Sequence, residues 1–239
     1  MTKTNQQKVK DFLINNGVII VMFILVIYTG FTSDNFFTKN NFMNILMNMS
    51  SRLVIALGIA GCVITAGCDL SAGRMIGFGA CISGMLLQRM DYSGKFFPDM
   101  QPLNVFVVAL IAMLVCAAFG TVTGFFIAYL NVPPFIATLA MMEIVYGIGL
   151  IVTNATPLGG YVEQYTNVSN GKFLGINYLI WIAIIVAAIT WFIFNMTRHG
   201  KYMYAIGGNP QAAEVAGVPV KATLILIYMK AAAKIGRAH

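Results

Sequence analysis

Long apolar runs separated by short polar links dominate this chain, and a helix needs roughly 20 such residues to cross a bilayer. The pattern predicts spans over 12–31, 42–66, 75–87, 104–128, 134–152 and 178–194, with a seventh helix beginning near Ala222. The third run is short, which suits a tilted or partly re-entrant segment. Pro133 and Pro134 sit in a very short link, where proline ends one helix and begins the next. Within the fourth run, Gly120-Thr-Val-Thr-Gly124 has the small-xxx-small spacing that lets two helix backbones approach closely. The predicted fold is all-α: a polytopic helical membrane protein with about six complete transmembrane helices plus the start of a seventh.

One polar island, residues 205–217, carries a complete set of helix start and stop signals. Asn209 suits the N-cap, Pro210 the first helical position and Gly217 the residue after the last turn. The result is an Ala-rich helix of about two turns held at a membrane surface. Such a helix outside the bilayer has a use if a partner grips it, as a motor protein would grip a transport channel.

Only 10% of the residues are charged, against about a quarter in soluble domains. The net charge of +7 is placed topologically: Lys3, Lys8 and Lys10 precede the first span, and Arg198, Lys201 and Lys221 flank the sixth. An inward excess of Lys and Arg puts the N-terminus and the loop after span six in the cytoplasm. The outward loops cancel, with Lys39, Arg89, Lys95 and Lys172 against Asp34, Asp91, Asp99 and Glu163. No basic stretch is dense enough to track a phosphate backbone, so nucleic acid is not an expected partner. The first run reads as a retained helix and not a cleaved leader. The abrupt Lys-Ile-Gly-Arg-Ala-His ending, 234–239, reads as a non-native tail on a truncated permease domain of residues 1–233.

Candidate chemistry is sparse. Asp69 stands in Gly67-Cys-Asp-Leu-Ser-Ala-Gly73, where it can cap the next helix with Arg74 as a nearby charge partner, or face a solute pathway. Arg52 and Glu143 lie inside spans, open to snorkelling, pairing with each other or lining a water-filled cavity. The cysteines Cys62, Cys68, Cys81 and Cys116 read as small buried hydrophobes, and with His199 the one internal histidine no metal or cofactor set assembles. Neither a nucleophile–base pair nor a phosphate-binding loop is present, so any ATP is expected on a separate subunit.

Two stretches carry a family resemblance. Leu57-Gly-Ile-Ala-Gly-Cys-Val-Ile-Thr-Ala-Gly-Cys-Asp-Leu-Ser-Ala-Gly-Arg74 resembles the signature after the second helix of bacterial sugar ABC-importer permeases of the ribose/xylose/arabinose/galactose group. Gly207-Gly-Asn-Pro-Gln-Ala-Ala-Glu-Val-Ala-Gly-Val218 is similar to that group's cytoplasmic coupling loop, as Ile127 to Leu139 is to the segment between. Asp-Leu-Ser-Ala-Gly-Arg looks most like the galactose/methyl-galactoside branch. The resemblance implies an inner-membrane permease that imports a sugar by alternating access, as a dimer of two copies in the lipid bilayer. It also implies a cytoplasmic ABC ATPase subunit gripping Gly207, Gly208, Asn209, Pro210, Ala212, Ala213, Glu214 and Gly217, and a periplasmic or extracellular sugar-binding protein. Asp69, Leu70, Ser71, Gly73 and Arg74 become the family signature near the pathway. Glu143 departs from the branch's pattern and takes no role. The rival reading is a proton-coupled secondary carrier using Asp69 and Glu143.

Overall fold

Ten helices and one minimal hairpin account for the ordered elements in a computed structural model, which describes residues 13–14, 16–33 and 35–235. Lys3, Lys8, Lys10, Asp34 and residues 236–239 of the tail lie outside the described residues. The elements are α1 (Gly17–Thr32), α2 (Lys39–Ile64), α3 (Ala72–Leu86), α4 (Val105–Tyr129), α5 (Pro134–Thr153), α6 (Glu163–Asn170), β1 (Lys172–Phe173), β2 (Ile176–Asn177), α7 (Tyr178–Met196), α8 (Arg198–Gly208), α9 (Pro210–Val215) and α10 (Val220–Ile235). They fall into two units, residues 1–46 and 47–239.

The apolar runs become helices because their ends are provided for. Asn104 caps α4 by accepting a hydrogen bond from the Phe106 amide at 2.9 Å, and Asn177 caps α7 through the Leu179 amide at 2.8 Å. Pro134 opens α5 as its first residue, and Asn154 closes it in the left-handed conformation (φ 51°). Helices α2, α4, α5 and α7 are long and apolar enough to cross a membrane; α1 and α3 are shorter, at 16 and 15 residues. A helix the length of α3 rises about 22 Å, short of a hydrocarbon core of about 30 Å.

In the first unit, α1 is apolar all round. Its Gly30 lies under the Phe37 ring, and Asn41 Nδ2 ties back to the Phe36 carbonyl at 2.8 Å.

The second unit is organised by α10 lying along α4. A Cβ on Gly120 would come within 2.5 Å of the Tyr228 carbonyl oxygen, and one on Gly124 within 2.7 Å of Ile225 Cα. The small-xxx-small face therefore has a partner, the seventh helix, at backbone contact. Two apolar clusters flank this pair. Met75, Phe78, Ile82, Ala112, Cys116, Met141 and Val145 join α3, α4 and α5. Cys62, Ile127, Ala137, Met203, Ile227 and Tyr228 join α2, α4, α5, α8 and α10.

The connecting segments gather at two ends. At one, Gly67 lies beside Pro134 and Gly207 against Ile64 and Thr65. At the other, the Arg89 amide donates to the Gly160 carbonyl (2.7 Å) and the Val162 amide to the Leu87 carbonyl (2.9 Å). Gln88, fully buried there, donates from Nε2 to the Gly159 carbonyl (3.1 Å) and accepts from the Phe96 amide (2.7 Å). This alternation is what successive crossings by α2, α3, α4, α5 and α7 require.

Three features were not expected. The link after span six is a helix, α8, and the long link after span five contains α6 and the β1–β2 hairpin, with Lys172 opposite Asn177 and Phe173 opposite Ile176.

Candidate functional site

The polar island folds as its capping signals require. Asn209 Oδ1 accepts from the Ala212 amide at 3.0 Å, Pro210 is the first residue of α9, and Gly217 adopts φ +83°. The Val218 amide donates to the Ala213 carbonyl and the Gly217 amide to the Glu214 carbonyl, both at 3.0 Å, closing the helix by wrapping back on its last turn. Gly208, Asn209, Pro210, Ala212, Glu214 and Gly217 are exposed, as a gripped surface must be, while Gly207 is half-buried. Ala213 differs: it is 5% exposed and turned into the protein. A bulky charge at Ala213 thus disrupts internal packing before it meets any partner. The outward apolar group on α9 is Val215, 91% exposed, whose side chain touches almost nothing of its own chain.

The segment ahead of α9 seats it. Thr197 Oγ1 caps α8 by accepting from the Gly200 amide at 3.3 Å. Met203 and Ile206, each 1% exposed, anchor α8 inward. One turn on, the Gly207 Cα meets the Ile64 carbonyl so closely that no Cβ fits between them. His199, also on α8, has its imidazole pKa lowered, first by burial and then by the positive charges of Lys230 and Lys234.

The second motif forms a tight turn between α2 and α3. Asp69, buried, accepts from the Ser71 amide (3.0 Å) and the Ser71 hydroxyl (2.6 Å) on one oxygen, Oδ1. This is the capping role open to it in the sequence: a short polar side chain replaces the missing acceptors at a helix start. Arg74 is not its charge partner. Among the described residues no ion pair joins them, and the Arg74 guanidinium instead stacks 3.9 Å above the Tyr146 ring of α5. The helix geometry explains the difference: Arg74 leaves the first turn of α3 on the face towards α5, while Ser71 is already within reach of Asp69. Leu70 is exposed, Ser71 buried, and Gly73 opens onto free space.

Around the Arg74–Tyr146 stack, a half-open cavity of about 200 Å³ lies between α3 and α5. Gly73, Gly77 and Gly149 give it bare backbone walls, and Arg74, Tyr146 and Thr153 supply polar groups. Arg52 and Glu143 are both exposed and, among the described residues, form no ion pair with each other. A proton relay from Asp69 to Glu143 finds no support, because Asp69 is occupied by Ser71.

The structure also joins the two motifs, which lie 133 residues apart in the sequence, from Arg74 to Gly207. Gly207 of the first touches Ile64 and Thr65 of the second, and Tyr228 Oη donates to the Cys68 carbonyl at 3.2 Å within it. Tyr228 was not singled out in the sequence. Its signal was faint, a lone Tyr in an apolar helix, and its partner is a backbone carbonyl far upstream.

With this geometry in place, comparison with known proteins is informative. The family described as branched-chain amino acid transport system / permease component matches residues 41–234. The chain is 40% identical over 235 residues to the galactose/methyl galactoside import permease protein of Escherichia coli K12, covering 95% of this chain and 70% of that protein. It is 41% identical to the protein of the same name in Haemophilus influenzae, covering 96% and 70%. The ribose import permease protein of Escherichia coli K12 is 31% identical, covering 92% and 66%. No solved structure matches the chain.

Proposed function

We propose a function from one established premise: the chain belongs to the family of permease components of the branched-chain amino acid transport system. It is the membrane-embedded subunit of an ABC importer, and its solute is a galactose-type hexose or methyl galactoside. The observation that carries this reading is 40% identity, along 95% of the chain, to a permease named for those sugars. The capped α9 turn supports it by presenting Val215 and Glu214 outward on a helix anchored by the buried Ala213.

In this reading a cytoplasmic ATPase grips α9 and the exposed residues Gly208, Asn209, Pro210 and Ala212. A sugar-binding protein delivers solute at the opposite end, where the Gln88 clamp joins the two long loops. A second copy of the permease completes the pathway, and the N-terminus lies on the ATPase side. A neutral solute needs a path that opens alternately and holds few fixed charges, and the cavity between α3 and α5 has one cation, already engaged with Tyr146. Few ionisable groups within the spans suit such a solute better than an ion.

The test is uptake of radiolabelled galactose and methyl galactoside into cells that lack their own galactose importers. The cells would express the complete permease with its ATPase and binding protein. ATP-dependent accumulation of either sugar, competed by the other, is the expected result. Accumulation that needs no ATPase subunit, or that collapses with the proton gradient alone, overturns the reading.

A further inference from the structure

We infer that Gly207 and Tyr228 are positioning residues that lock the ATPase-contacting helices and the Asp69 turn into one moving block. The inference rests on the importer reading above. It concerns how a push on α9 reaches the α3–α5 cavity.

Helix α2 ends by turning its last carbonyls inward. Gly61 accepts from Thr65, Cys62 from Gly67 and Val63 from Ala66. The next carbonyl, Ile64, faces the Gly207 Cα at a distance that excludes any side chain. The hydrogen that glycine carries in place of a Cβ is directed at that oxygen, the arrangement of Cα–H···O contacts where helix backbones touch. Met203, one turn earlier on α8, presses its methyl towards Gly61, where a Cβ would lie 3.2 Å away. Thus α8 meets the end of α2 at two glycines, backbone to backbone at Gly207 and through the Met203 methyl at Gly61.

The turn that follows is gripped from its other side. Tyr228, 2% exposed, places its hydroxyl where a Cβ on Gly67 would stand, only 2.6 Å from it, and donates to the Cys68 carbonyl. The backbone of Tyr228 rests on Gly120 of α4, where a Cβ would stand 2.5 Å from the Tyr228 carbonyl oxygen. Asp69, the next residue, holds Ser71 and so fixes the start of α3. Residues 64–71 are therefore clamped between α8 and α10, and they lead directly into α3. Close-packed interfaces move as rigid bodies and do not deform smoothly, so a displacement of α8 is passed to α3. Besides the buried cluster it shares with α4 and α5, α3 faces the cavity with the stack of Arg74 on Tyr146 and the open glycine surfaces of Gly73 and Gly77. The block moves at this boundary, and the cavity changes shape there.

The experiment compares variants of the complete permease, reconstituted in liposomes with its ATPase and binding protein. The readouts are radiolabelled galactose transported per ATP hydrolysed, and co-purification of the ATPase. Gly207→Ala inserts a methyl against the Ile64 carbonyl. Tyr228→Phe keeps the ring and removes the hydrogen bond to Cys68. Gly147→Ala adds the same methyl where nothing lies within 4 Å. Expected is ATPase assembly as in the wild type for all three, with sugar per ATP falling about tenfold for Gly207→Ala and about threefold for Tyr228→Phe. Gly147→Ala stays within about twofold.

A wild-type ratio in Gly207→Ala overturns the inference. If Gly207→Ala does not assemble, the isosteric Tyr228→Phe decides alone: a lowered ratio sustains the block and an unchanged ratio overturns it. A wild-type permease that neither retains an ATPase nor couples ATP to uptake overturns the importer reading itself, and the block with it. Sugar per ATP separates coupling from stability, since a merely loosened fold lowers both rates together.

Discussion

Replacing Gly120 by alanine tests the helix contact on which the second unit depends. The new Cβ would stand 2.5 Å from the Tyr228 carbonyl oxygen and 2.6 Å from Ala232 Cβ, where ordinary contact begins at 3.4 Å. Both neighbours belong to α10, one of them backbone, so no side chain can rotate away. The helices must separate by about 0.9 Å, a gap that forfeits a quarter to a half of each dispersion contact along the seam. Overpacking of this kind costs about 1–3 kcal/mol. Against it stands the gain from replacing glycine inside a helix, about 1 kcal/mol. The steric term wins, and the net loss is about 1 kcal/mol. The control is Gly77→Ala on α3, where a Cβ meets nothing within 4 Å and the helix gain stands alone. Thermal unfolding in mild detergent, followed with a thiol-reactive dye, reads both variants, because Cys62 and Cys116 are fully buried and react only as the helices part. At about 2–4 °C per kcal/mol, Gly120→Ala should lower the midpoint by a few degrees and Gly77→Ala raise it by a similar amount. A Gly120→Ala midpoint at or above the wild type would refute the argument that α10 lies on α4 at backbone contact.

Three further outcomes are expected. Val215→Asp should release the ATPase in co-purification while membrane insertion and thermal stability hold, since the side chain it replaces is almost wholly exposed; retained ATPase would show that α9 is gripped elsewhere. Asn209→Ala removes the hydrogen bond to the Ala212 amide and should cost about 1 kcal/mol of local helix stability, weakening ATPase retention in pull-down, while Asn209→Ser preserves it. His199 has a pKa lowered in the fold, so the unfolded chain binds its proton more readily; stability is full above the unfolded value near 6.5 and falls as pH drops towards the folded value. The unfolding midpoint should therefore decline below about pH 6.5, and His199→Gln should flatten that decline.

Much of the architecture could be read from local pattern. The apolar runs specify helices, because in hydrocarbon a chain must satisfy its own backbone, and the observed bounds fall within a few residues of those expected for α2 to α5 and α7. The α9 turn was equally legible, since Asn209, Pro210 and Gly217 act on bonds no more than a few residues away. Helix α8 was hidden: its residues are not apolar enough for a span, and the buried Met203 and Ile206 on its inner face hold it. Arg74 was misassigned because sequence proximity to Asp69 suggested a pair, while the first turn of α3 points the guanidinium to Tyr146.

The sequence by itself determined what short-range physics controls: a membrane-spanning helical chain, its caps and breaks, and a glycine-spaced face ready for close packing. Only the tertiary structure decided which helix fills that face, which way Ala213 and Val215 point, and that Gly207 and Tyr228 converge on the turn at Asp69. Those facts depend on contacts between residues far apart in the chain. In a membrane, where apolar helices gain little by merely leaving the lipid, such contacts are chosen by shape and backbone approach, which no linear pattern records.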